Sequence, residues 1–113
     1  MHVYRVTVRG QFKGLSDRSR AWLSASAAEH DIFLSAFTPE GTFTYDVHLR
    51  AFNLRYEVRL KDEHETTAED PAAVATKEAE LFLGTMGIGH GPLRAAVMDM
   101  NDMTARVDRQ QQA

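Results

Sequence analysis

Alternating apolar and polar residues over positions 43–61 predict the central β-structure of this chain. From residue 52 onward every second side chain is apolar, the others being polar or charged: Phe52, Leu54, Tyr56, Val58 and Leu60. A period of two is typical of a strand with one face in a core. Residues 43–50 alternate in the same way, but the parity changes between Leu49 and Phe52. A turn, bulge or register change is expected there, and the pattern leaves open whether residues 42–61 form one kinked strand or two.

The first 41 residues predict a strand, a helix, a second strand and a turn. Residues 2–9 alternate between apolar and polar side chains as a strand does, and Ser16 is the expected N-cap of the first helix. The predicted buried stripe of that helix is Ala21, Trp22, Ala25 and Ala28. Residues 32–38 are apolar on both sides and predict a second strand, and residues 39–41 (Pro-Glu-Gly) predict a turn.

The second half of the chain predicts one more helix and one more strand. Residues 62–70 are acidic and have no periodic pattern. Asp70 followed by Pro71 predicts a helix start, and Gly84 or Gly87 is expected to end that helix. Its predicted apolar stripe comprises Val74, Leu81 and Phe82, with Ala75, Glu78 and Thr85 near them. Residues 87–92 predict a glycine-rich loop, residues 93–103 predict the last strand, and residues 104–113 predict a flexible tail.

The order β-α-β-β-(β)-α-β predicts an α+β fold. We expect a ferredoxin-like sandwich, in which two helices cover one face of a four- to five-stranded, mainly antiparallel sheet. Residues 1–103 would then form a single domain, and the second face of the sheet would stay open.

Composition restricts the classes of function. The chain has 113 residues, no cysteine and a formal net charge of −3, which excludes disulfides and thiolate chemistry and argues against a general nucleic-acid or membrane-surface binder. No apolar run reaches the ~18 residues of a membrane-spanning helix, and no signal segment precedes the first strand. We expect a cytoplasmic protein that binds neither nucleic acid nor membrane.

Three segments resemble a small uncharacterised family of actinomycete domains. They are R-V-T-V-R-G-Q-F-K-G-L-S near the N-terminus, A-E-H-D-I after the first helix, and A-F-T-P-E-G-T-F-T-Y-D at the predicted turn. The resemblance covers residues 4–100 and implies a stand-alone domain with a background in secondary metabolism. It assigns no catalytic residue. The topology is also similar to that of the dimeric α+β barrel proteins, which include small cofactor-free oxygenases of polyketide pathways, and this likeness transfers no residue.

The sequence motifs that could bind a metal, a phosphate or a nucleobase are weak. The five histidines are scattered without metal-ligand spacing, so neither a metal nor a cofactor is expected. The glycines at 87–91 lead out of a helix, whereas a phosphate loop leads into one. Cross-strand ion pairs are the simplest interpretation of the polar residues of mixed sign that are expected on the open face of the sheet. These residues are Arg5, Thr7, Arg9, Asp46, His48, Arg50, Arg55, Glu57 and Arg59.

Aromatic and methionine side chains are abundant for so small a domain, and most of them are expected to pack in the core. Those left over could line an apolar pocket or a homodimer interface. The predicted ligand-binding residues are Trp22, Phe43, Tyr45, Phe52, Tyr56 and Met98. A binding or accessory protein for an apolar or aromatic small molecule is the leading hypothesis. The alternatives are a cofactor-free oxygenase- or cyclase-like enzyme that uses His48 or Tyr45 for proton transfer, and a structural or protein-interaction subunit.

Overall fold

Four strands and two α-helices lie within the part of the chain that the computed structural model describes, residues 2–31, 35–60 and 70–100. A short 3-10 helix, Ala27–His30, follows the first α-helix. In chain order the elements are β1 (His2–Gln11), α1 (Asp17–Ala25), β2 (Thr42–Tyr45), β3 (Ala51–Leu60), α2 (Pro71–Met86) and β4 (Arg94–Asp99).

The strands form one antiparallel sheet in the order β2-β3-β1-β4. Residues paired across two strands point to the same face, so the register Val6↔Tyr56 and Val8↔Leu54 collects the apolar positions of β1 and β3 on one face. These four side chains are buried, together with core residues of both helices. The α+β, ferredoxin-like prediction is thereby confirmed, with four strands.

A tight turn resolves the parity break, and residues 42–60 contain two strands rather than one kinked strand. The Asp46 carboxylate accepts hydrogen bonds from the backbone N–H groups of Arg50 (2.9 Å), Ala51 (2.8 Å) and His48 (3.2 Å). Burial alone would raise the pKa of Asp46, but these backbone donors outweigh it and lower the pKa. Leu49 completes the turn with a positive φ of 55°, a conformation that leucine rarely adopts.

The predicted strand at residues 32–38 is wrong for its described part. Residues 32–34 lie outside the described residues, residues 35–37 belong to no strand, and Thr38 forms only an isolated bridge to Tyr56. The backbone N–H of Glu57 donates to the Thr38 carbonyl at 2.8 Å. The second strand of the sheet is instead β2, which begins after the turn because Gly41 has a φ of 91° and redirects the chain there.

The predicted stripe of α1 is wrong, whereas that of α2 is wrong at Leu81 but confirmed at Val74 and Phe82, which pack against the core. In α1 the buried residue is Leu23, whereas Trp22 is 37% exposed; a helix of nine residues makes about two and a half turns and can bury few positions. In α2 the buried residues are Ala75, Ala79 and Leu83, four positions apart on one helix face. Leu81 is 57% exposed. Small alanines at the contact allow the helix backbone to approach the sheet closely.

The predicted boundaries of α2 are confirmed. The Asp70 side chain accepts a hydrogen bond from the Ala72 N–H at 3.0 Å, and Gly87 ends the helix with a φ of 68°. Residues 61–69, which hold most of the acidic segment, and residues 101–113, which hold the predicted end of the last strand and the tail, lie outside the described residues. Among the described residues no helix is long and apolar enough to cross a membrane.

Candidate functional site

The helix-covered face of the sheet holds most of the predicted ligand-binding residues, and their rings fill the core. Phe43, Phe52 and Tyr56 are 6%, 1% and 4% exposed. The Phe43 ring lies 5.1 Å from that of Phe82, and Phe52 lies 5.0 Å from Phe12, measured between ring centroids. Contacts of this kind stabilise a packed interior. These three side chains therefore support the fold.

Tyr45 lies at the edge of this aromatic cluster and is tied to α1. Its hydroxyl donates a hydrogen bond to the Leu23 carbonyl at 2.5 Å. Burial raises the pKa of Tyr45, and the charge of Glu29 raises it further. A phenol that is bonded to a backbone carbonyl and hard to deprotonate is poorly suited to act as a base.

His30 joins the 3-10 helix to β2. Its Nδ1 lies 2.9 Å from the Phe43 carbonyl oxygen; since a carbonyl can only accept, Nδ1 carries the proton. The imidazole ring packs 5.3 Å from Tyr45 and 5.8 Å from Trp22 between centroids. Sequence reasoning gave His30 no role beyond ending the first helix, although it connects two of the predicted site residues.

The remaining predicted site residues lie apart. His48 is exposed in the turn between β2 and β3. Met98 is 43% exposed and pairs with Arg5, which places it on the open face, opposite the aromatic cluster. The structure thus brings Trp22 and Tyr45 together with the core aromatics but separates Met98 from them. Within the described ranges no group of three or more His, Asp or Glu side chains could hold a metal ion.

A groove of about 540 Å³ lies at one end of the sheet. Strands β1, β3 and β4 and the loop before β4 contribute its lining: Arg9, Gly10, Gln11, Ala51, Phe52, Asn53, Pro92, Arg94, Ala95 and Ala96. Phe52 is the one residue of the groove that the sequence also singled out for ligand binding.

Small side chains create the groove. Ala51 and Ala96 lie on the open face at positions where larger side chains would fill the space. Gly10 is required for another reason: a Cβ there would lie 2.6 Å from the Phe52 ring and 2.8 Å from Leu93 Cδ2. The chain is held at this end by the Gly91 N–H, which donates to the Gln11 carbonyl at 2.9 Å. Hydrogen-bonded backbone therefore forms the base of the groove.

Two arginines lie side by side on neighbouring strands in the lining of the groove. Arg9 pairs directly with Arg94 on β4 and with Asn53 on β3. Arg55 lies two residues further along β3, and its guanidinium donates to the Thr44 hydroxyl at 3.1 Å. Desolvation lowers the pKa of Arg55, and the positive charge of Arg9 lowers it further. The sequence pattern placed Arg9 and Arg55 on the open face but did not place Arg94, because that depends on the register of β4.

These features define a ferredoxin-like α+β protein with one face of its sheet open and grooved. The chain belongs to DUF6204, a family of unknown function, whose family model matches residues 1–112. This confirms the resemblance to a family of uncharacterised domains, while an actinomycete origin stays a prediction. No curated protein matches the chain, and no solved structure does.

Proposed function

We propose that this domain is a binding protein for a small molecule with an apolar or aromatic body, and that the ligand lies in the open-face groove. One observation carries the proposal: the groove measures about 540 Å³, within the ~300–1,000 Å³ of small-molecule sites. Its lining combines apolar residues such as Ala96 and Pro92 with polar groups such as Asn53 that can orient a ligand. The proposal moves the expected site from Phe43, Phe52 and Tyr56 to the opposite face of the sheet, because these three side chains fill the core.

Binding without catalysis has more support than the enzymatic alternative. Neither Tyr45 nor His48 lines the groove, and the Tyr45 hydroxyl is engaged with the Leu23 carbonyl. A proton-transfer group must come within hydrogen-bond reach of the substrate. We therefore propose that Tyr45→Phe and His48→Ala leave ligand binding unchanged. A role in secondary metabolism rests on the sequence resemblance alone.

A two-dimensional NMR titration tests the proposal. Neutral and acidic aromatic compounds should shift the amide signals of Ala95 and Ala96, and Ala96→Leu should remove the shifts by filling the groove. Ala73→Leu is the matched control, because Ala73 is exposed on α2. Unchanged binding by Ala96→Leu, or no binding from a broad panel, would refute the proposal. A change in Trp22 fluorescence without shifts at Ala95 and Ala96 would place the ligand on the helix side.

We also propose that self-association, expected as a homodimer, uses the outer edge of β4. This strand lies at one end of the described sheet, where a strand can pair with a second copy of the chain, and it exposes Val97 and Met98. Face-to-face packing of two open faces is less favourable, because each would bring its arginines against the other's. Sedimentation velocity tests the dimer, and Val97→Lys should shift it toward the monomer.

A further inference from the structure

Charge is distributed unevenly over this domain. The chain as a whole has a formal net charge of −3, yet the open sheet face is strongly basic. Its charged strand residues, assigned by register within the described ranges, are Arg5, Arg9, Arg55, Arg59, Arg94 and Glu57. Five arginines oppose one glutamate on a protein that is acidic overall. A concentration of one sign within a concave surface attracts the opposite charge.

Three of these arginines have partners within the protein. Arg59 forms an ion pair with Glu57, with Nη2 and Oε1 3.0 Å apart. Arg55 donates to Thr44, and the Arg5 guanidinium lies 5.4 Å from the centre of the Phe37 ring, a favourable cation–π distance. The ion pair lies within β3, and the predicted cross-strand ion pairs are not formed among these residues.

Arg9 and Arg94 are different, because neither has a hydrogen-bond or ion-pair partner among the described residues. They are also the two arginines that line the groove. They occupy directly opposite positions on neighbouring strands, an arrangement that destabilises a sheet when the charges are alike. A pair of opposed arginines costs stability in the free protein. A favourable interaction of both guanidinium groups with a bound ligand offers a physical reason for the pair.

An anionic group between the two arginines would remove the repulsion and satisfy their donors. A guanidinium presents its N–H groups as a planar fork that matches carboxylate and phosphate oxygens, and such charge-assisted bonds are stronger than neutral ones. Asn53, which pairs with Arg9 on its other side, adds an amide donor. The alanines of the groove leave room beside this point for an uncharged ligand body.

We propose that Arg9 and Arg94 bind the anionic group, a carboxylate or a phosphate, of a small molecule whose body lies in the groove. This inference rests on the proposed function and adds the chemical class of the ligand. The anionic group lies over β1 and β4, with Asn53 donating from the β3 side, while the body lies along Ala51, Ala96 and Pro92.

Calorimetry with matched probes tests the inference. Benzoate and phenyl phosphate are compared with benzamide, which has a similar shape and no charge. We expect at least one of the anionic probes to bind about tenfold more tightly than benzamide, the advantage of one charged hydrogen-bonding contact. Which of the two binds better distinguishes a carboxylate site from a phosphate site. Raising the salt concentration should weaken the anionic probes and leave benzamide unaffected.

Three variants assign the effect to the arginine pair. Arg94→Gln should abolish the advantage of the anionic probe over benzamide, and Arg94→Lys should retain only part of that advantage, because lysine lacks the planar fork. Arg59→Gln is the matched control on the same face and should change nothing. Thermal unfolding of each variant establishes that it is folded.

The outcomes separate the two proposals. If benzamide binds in the groove as tightly as the anionic probes, or if Arg94→Gln binds them normally, the anion site is refuted and the groove remains a binding site. If no probe binds, the anion site is refuted, and the broad panel of the NMR titration decides whether the groove binds a ligand at all. Binding of a single-stranded oligonucleotide more tightly than any small anion would overturn the inference in favour of a nucleic-acid surface.

Discussion

Arg94→Gln is predicted to make the unliganded domain more stable. Arg9 and Arg94 lie directly opposite each other on β1 and β4, and no described side chain neutralises either of them. Removing one charge relieves the repulsion in the folded state, while the unfolded chain, in which the two residues are 85 positions apart in sequence, changes little. Most substitutions destabilise a protein, so a gain in stability at this position would be diagnostic.

The expected gain is small but measurable. Opposed residues on antiparallel strands have Cβ atoms about 5 Å apart, and long side chains can spread, so we take a charge separation of ~7 Å. Two like charges at that distance in water-like surroundings repel by about 0.6 kcal/mol. For a domain of this size that corresponds to a rise in melting temperature of about 3 °C. Screening should reduce the gain to near zero at ~1 M salt, where the Debye length is ~3 Å, whereas at ~10 mM it is ~30 Å.

Urea unfolding at the two salt concentrations is the assay, with Arg59→Gln as the matched control. Arg59 is paired with Glu57, so its removal should cost between zero and about 0.5 kcal/mol at low salt. The two variants should therefore differ in sign as well as size. The reasoning is refuted if Arg94→Gln destabilises the domain at low salt, or if its gain is the same at both salt concentrations.

Three further predictions concern the framework of the fold. Asp46→Ala removes the carboxylate that accepts three backbone hydrogen bonds and should lower the free energy of unfolding by about 2 kcal/mol. Burial raises the pKa of Tyr56 to about 12, above the ~10 of an unfolded chain. The protonated phenol should therefore contribute its full stabilisation below pH ~10 and lose it as the pH rises toward ~12. Tyr56→Phe should lack this loss of stability in alkaline unfolding. Gly89→Ala should cost about 2 kcal/mol, because its Cβ would collide with the Lys13 carbonyl oxygen, whereas Gly91→Ala, with open space around it, should be nearly neutral in urea unfolding.

Sequence periodicity predicted the strands that have one solvent-exposed face and one buried face. It failed where the two sides of a segment do not differ in polarity. In β1 and β3 the alternation gives both the strand and its buried side. Residues 35–37 are not in a strand, because an apolar stretch without alternation does not by itself distinguish a strand from other structure. The turn at Leu49 was expected from the parity break, but its positive φ was not, since leucine gives no signal for that conformation.

The candidate site could be predicted only in part, because it depends on which strands become neighbours. Each arginine of the groove is an ordinary outward-facing residue of its own strand, and a single strand cannot reveal that Arg9 and Arg94 are opposed. That fact requires the pairing of β1 with β4, which are more than 80 residues apart in sequence. The aromatic residues Phe43, Phe52 and Tyr56, by contrast, could be recognised in the sequence. Their large apolar surface suggested a ligand site, but burial of that surface stabilises the core. The proposed anion site therefore depends on strand register, whereas the apolar pattern of the sequence reports what the core requires.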